Sequence, residues 1–102
     1  MLERSVEAGL VKKVKQHGGL CLKFVSPSVS GVPDRMIIYR GRVIFVELKQ
    51  EYGRLSTIQK RMHERLRYHG AEVYVAYGSE GVRKLIEELF PEEVMPNAIQ
   101  AP

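Results

Sequence analysis

The sequence holds a single cysteine, Cys21, so no disulfide can close within the chain and nothing points to an oxidising compartment. Between Leu20 and Leu22 it reads as a small core residue, since no base lies nearby in sequence to make it a nucleophile. No apolar run approaches the roughly 20 residues a membrane-spanning helix needs. The opening Met1-Leu2-Glu3-Arg4 lacks the apolar centre of a secretory leader. The three histidines, His17, His63 and His69, show no metal-ligand spacing and read as helix residues without a special role. No internal repeat is visible. These absences describe a small cytoplasmic protein with no membrane partner.

What is present fits one globular domain. The chain has 102 residues, 44% of them hydrophobic, which is ordinary for a folded protein and too high for a disordered one. A core of this size is modest, so association of copies is a natural source of further stability. Lys and Arg outnumber Asp and Glu by 16 to 12, for a formal charge of +4. That balance favours encounter with a polyanion and says nothing about chemistry.

Periodicity divides the chain into seven elements. Leu2, Val6, Leu10 and Val14 recur every fourth residue and predict a helix to about His17, stopped by Gly18-Gly19. Leu20 to Val25 predicts a strand of six residues, followed by a proline- and serine-rich loop to Pro33. Met36–Tyr39 and Val43–Leu48 read as strands joined through Arg40-Gly41. Ser56-Thr57-Ile58-Gln59 has capping-box form and opens a helix to about His69, ended by Gly70. A fourth strand, Val73–Ala76, and a helix carrying Val82, Leu85, Ile86 and Leu89 complete the domain at about residue 90. Residues 91–102 are proline-punctuated and read as a tail. The resulting fold class is α/β, in αβββαβα order. The helix between the last two strands makes them parallel members of a mixed four-stranded sheet.

The hairpin has a consequence for chemistry. With the turn at Arg40-Gly41, antiparallel partners sum to 81, and Asp34 falls opposite Glu47. Side-chain alternation puts Lys49 on the same face. Both faces of these strands are apolar in the middle, which predicts helices on both sides. Two carboxylates at one strand end suit a hard divalent cation such as Mg²⁺ or Mn²⁺, with the lysine near enough to act on a water. A charge cluster at a sheet edge is the alternative. On the first helix, Glu3 and Glu7 fall close to the apolar stripe. Either they sit at the rim of the first turns, or Glu7 is paired, hydrogen-bonded or near a metal.

Gly31-Val32-Pro33-Asp34 followed by Glu47-Leu48-Lys49 resembles the PD-(D/E)XK nuclease superfamily. Glu7, Gly18-Gly19, Lys23-Phe24-Val25-Ser26-Pro27 and Leu55-Ser56 leading to Gln59 narrow the resemblance to its VRR-NUC (virus-type replication-repair nuclease) branch, from about Ser5 to Leu89. The resemblance implies a restriction-endonuclease-like core. Asp34, Glu47 and the Leu48 carbonyl would hold Mg²⁺ or Mn²⁺, and Lys49 would be the catalytic cation. Glu7 would act on the metal through water, and Gln59 would lie near the site, although capping alone also accounts for Gln59. The implied activity is a phage or bacterial DNA endonuclease of replication and repair. It would be a homodimer selective for branched DNA, as Holliday-junction resolvases are. Lys23, Arg35, Arg54, Lys60 and Arg61 are the candidate phosphate contacts. The alternatives are a branched-DNA-binding module without catalysis, a flap-directed or non-specific nuclease, and metal-free RNA cleavage, which the acidic pair argues against.

Overall fold

The computed structural model describes residues 2–91 of the 102. The elements run α1 (Leu2–Gln16), β1 (Leu20–Lys23), β2 (Arg35–Tyr39), β3 (Arg42–Lys49), α2 (Thr57–Tyr68), β4 (Glu72–Tyr77) and α3 (Gly78–Leu89). This is the αβββαβα order read from the periodicity. The sheet is ordered β1-β2-β3-β4, antiparallel except for the β3–β4 pair, which the α2 crossover makes parallel. Residues 92–102, most of the expected tail, and the side chain of Glu3 lie outside what is described.

Both α1 and α2 end in the same way. Gly19 N–H bonds back to the Val14 carbonyl and Gly18 N–H to that of Lys15, while Ala71 and Gly70 do the same to Leu66 and Arg67. These paired bonds satisfy carbonyls that a helix end would leave open and turn the chain straight into the next strand. The β2–β3 turn places Arg40 at φ 48 and Gly41 at φ 82. Positive φ at both central residues gives the turn a twist matching that of its strands. The resulting register includes Tyr39↔Arg42, Ile38↔Val43 and Met36↔Phe45, as the sum of 81 predicts.

The core lies on one face of the sheet. Val6, Leu10 and Val14 of α1 meet Ile37, Tyr39, Ile44, Val46 and Leu48 of the hairpin and Val82, Leu85, Ile86 and Leu89 of α3. Each fully buried aliphatic side chain among them contributes roughly 1.5–3 kcal/mol. Phe90 closes the end of this core, stacked on His17 at 4.3 Å and edge-on to Tyr39 at 4.7 Å between ring centres.

Two expectations need correction. β1 has four residues rather than six, and its neighbour Val25 is exposed. The chain leaves the sheet after Lys23, where Ser26-Pro27 turns it away, with one further bond from Phe24 N–H to the Asp34 carbonyl at 3.0 Å. The second sheet face is not fully covered either. Among the described residues only α2 packs there, against β4, and Leu20 (57%), Leu22 (44%) and Val43 (46%) are exposed.

The loop from β1 to β2 is pinned at Gly31, whose φ is +87 and whose missing Cβ would lie 2.7 Å from the Ile58 carbonyl oxygen. Gly31 therefore seats the loop that ends in Asp34 on the first turn of α2. A Gly31→Ala protein should lose at least about 2 kcal/mol, from left-handed strain plus overpacking against backbone. Its thermal midpoint should fall by roughly 10 °C, as read by circular dichroism. An unchanged midpoint would show that this contact holds nothing in place.

Candidate active site

Asp34 lies one residue beyond the last rung of the hairpin, Arg35↔Val46. Its Oδ1 accepts a hydrogen bond from Leu48 N–H at 3.2 Å, and its carbonyl accepts from Phe24 N–H. The residue is thus fastened both to β3 and to the continuation of β1. Burial is the main cause of a carboxyl pKa raised above the usual aspartate value, the Glu7 charge adds to the rise, and the Leu48 N–H opposes it.

Glu47 follows Val46 on β3, and the alternation of the strand turns its side chain away from the apolar core, towards α2. It is 4% exposed, an unusual place for a carboxylate. Gln59 Nε2 donates to Glu47 Oε2 at 3.1 Å, and Lys49 Nζ stands 4.0 Å from the same oxygen. His63 Nε2 lies 3.8 Å from the other oxygen, Oε1. Burial, with Arg67 and Lys49 nearby, lowers the His63 pKa from the usual histidine value.

Gln59 therefore does two things at once. Its Oε1 accepts from Ser56 N–H at 2.9 Å while Ser56 Oγ accepts from Gln59 N–H at 3.1 Å, completing the capping box. The other end of the same amide reaches Glu47. The cap and the site contact use different atoms and do not compete.

Glu7 is held by Arg35, whose Nε and Nη2 donate to its Oε2 at 3.0 and 2.6 Å. This pair, one strand position from Asp34, accounts for a carboxylate so close to the stripe of α1. It also commits the Arg35 guanidinium to Glu7. Lys23, Arg54, Lys60 and Arg61 are exposed at the end of β1, in the loop after β3 and on the first turns of α2. Cys21 packs against the core, and its thiol pKa is raised, chiefly by burial.

The donor set suits a hard divalent cation. Among the described residues no trio of His, Cys, Asp or Glu forms a metal cage. Two partly desolvated carboxylates, with backbone carbonyl and water, are instead the all-oxygen offer that Mg²⁺ and Mn²⁺ take. The spacing of residues placed Asp34, Glu47 and Lys49 in one neighbourhood, where the structure also has them. It could not reveal His63, whose one available signal was its position four residues after Gln59, on the same helix face.

Comparison with known proteins identifies the family. The chain is 43% identical over 74 residues to “Putative nuclease p44” of Acyrthosiphon pisum secondary endosymbiont phage 1, covering 72% of this chain and 80% of that protein. A solved VRR-NUC domain superposes with a TM-score of 0.80 at 37% identity, covering 85% of this chain and 96% of the other. The Archaeoglobus fulgidus protein Hjc, a Holliday junction resolvase, shares the fold, with a TM-score of 0.55 at 22% identity over 74% of this chain and 67% of its own. The VRR-NUC domain model matches residues 7–80, a span that runs from the glutamate held by Arg35 to the start of α3 and takes in every site residue named above, and the chain belongs to the VRR-NUC family of nuclease domains.

Proposed function

We propose that this nuclease domain is a metal-dependent DNA endonuclease, working as a homodimer on branched DNA in phage or bacterial replication and repair. The observation that carries the reading is the Glu47 carboxylate, held at 4% exposure beside the half-buried Asp34. Two such anions at one strand end are costly without a cation. Asp34, Glu47 and the Leu48 carbonyl would hold Mg²⁺ or Mn²⁺, with Glu7 reaching it through water. Such an ion, when bound, offsets charge on a phosphate oxygen and makes water a better nucleophile.

The chain's own residues do the rest. Lys49 presents its ammonium beside Glu47, where it orients the attacking water or stabilises charge developing on the phosphate. Lys23, Arg54, Lys60 and Arg61 contact neighbouring phosphates without reading bases, while the Arg35 guanidinium stays with Glu7. Binding should therefore weaken steeply with salt. Branched DNA is the substrate to test first because the shared fold serves a Holliday junction resolvase. The reaction would run in the cytoplasm of a bacterial or infected cell.

Labelled four-way, flap and linear DNA incubated with and without Mg²⁺ or Mn²⁺ tests this reading. Wild type should cut only with the cation, and Asp34→Ala and Lys49→Ala should each lose at least about a hundredfold in rate. Cutting by wild type in chelator, or undiminished cutting by both variants, would refute it.

The two roles of Gln59 can be separated. Ser56→Ala should cost about 1 kcal/mol of stability, read from thermal denaturation, and leave cleavage near wild type. Gln59→Ala should lose a comparable cap and also slow cleavage at least about tenfold, because the hydrogen bond to Glu47 goes with it. Equal cleavage by the two variants would reduce Gln59 to a cap.

A four-way junction has two strands to cut, and a homodimer supplies two sites. Leu20, Leu22 and Val43, exposed on one sheet face, support docking of a second copy there. Sedimentation should give twice the 11.6 kDa chain mass, falling to one chain in Leu22→Glu. Wild type at the single-chain mass at micromolar concentration would remove the dimer.

A further inference from the structure

His63 is 1% exposed, on the face of α2 that meets Glu47, and neither of its ring nitrogens has a hydrogen-bond partner among the described residues. A neutral imidazole carries one N–H and one lone pair. Leaving such groups unused in an interior costs about 1–3 kcal/mol each, and a leucine would fill the place without that cost. The ring is not placed at random. Its Nε2 faces Glu47 Oε1 at 3.8 Å, about 0.9 Å beyond the usual N–H···O distance of about 2.9 Å. Four residues earlier on the same helix, Gln59 already donates to Glu47 Oε2.

We propose that His63 is a positioning residue for Glu47: its Nε2–H closes on Oε1 when a cation is bound, so that Gln59 and His63 together fix both oxygens of the carboxylate from one helix face. The inference rests on the reading of Glu47 as a cation ligand. A carboxylate held at one oxygen can rotate about its terminal bond, whereas one held at both presents its remaining lone pairs in one direction. Donors of this kind behind a metal ligand typically change cation affinity by about 10–100-fold when removed. His63 is not itself assigned to the cation, because hard divalent ions prefer the oxygen donors beside it.

Calorimetric titration of Mn²⁺ into wild type, His63→Leu and His63→Gln, in the absence of DNA, tests the proposal. Wild type should bind. His63→Leu, which fills the space without a donor, should bind about 10–100-fold more weakly, with a cation-free thermal midpoint at or above wild type. His63→Gln, which can offer an N–H from a similar position, should recover part of the affinity. If His63→Leu binds Mn²⁺ as tightly as wild type, His63 only packs and the proposal fails. Should His63→Leu not fold, ¹⁵N resonances of the wild-type imidazole decide. A proton on Nε2, with a ring shift on adding Mg²⁺, supports the proposal, and a proton on Nδ1 with Nε2 bare overturns it. Failure of wild type to bind Mn²⁺ would overturn the metal-dependent reading as well, which separates the two failures.

Discussion

The structure depends on keeping the Glu47 carboxylate out of water at the end of a central strand. A desolvated charge needs partners, and a wrong arrangement would cost several kcal/mol. Its neighbours come from two features of the chain. Lys49 is supplied by the period of β3, while Gln59 and His63 come from α2, so α2 must begin at one place and lie at one angle. Its beginning is set by the Ser56 cap and by Gly31, which brings the Asp34 loop hard against Ile58. The position of the helix, the conformation of the loop and the site are one constraint.

Gln59 shows why this constraint is specific. The Ser56 N–H can only donate, so it fixes the oxygen of the Gln59 amide and leaves the nitrogen to face Glu47. A glutamate would cap the helix equally well and would place a second anion against the first. The helix-opening signal and the site are therefore written in one residue, and neither use can be deduced from the other.

Much of the fold could be read from the sequence because its signals are local. Apolar spacing marked α1 and α3, the capping box marked α2, and the Arg40-Gly41 turn with period-two alternation gave the β2–β3 register and hence the neighbourhood of Asp34, Glu47 and Lys49. What could not be read is non-local. The pairing of Glu7 with Arg35 spans 28 positions, and sequence assigned each residue a separate task. His63 looked ordinary because its burial depends on how α2 crosses β3 and β4. The half-open sheet face was missed for a related reason. Apolar residues on both faces of a strand do not say whether one helix is enough to cover the second.

The four-residue length of β1 matters for solubility. As an edge strand it carries unpaired backbone groups that could template another chain, and the apolar residues Leu20 and Leu22 would make such pairing adhesive. Because the strand stops at Lys23 and Pro27 then diverts the backbone, an incoming strand finds only a couple of rungs and a positive charge. A longer β1, as its apolar run suggests, would have given the domain an edge prone to uncontrolled fibre-like addition. Its early end acts as a gatekeeper against aggregation.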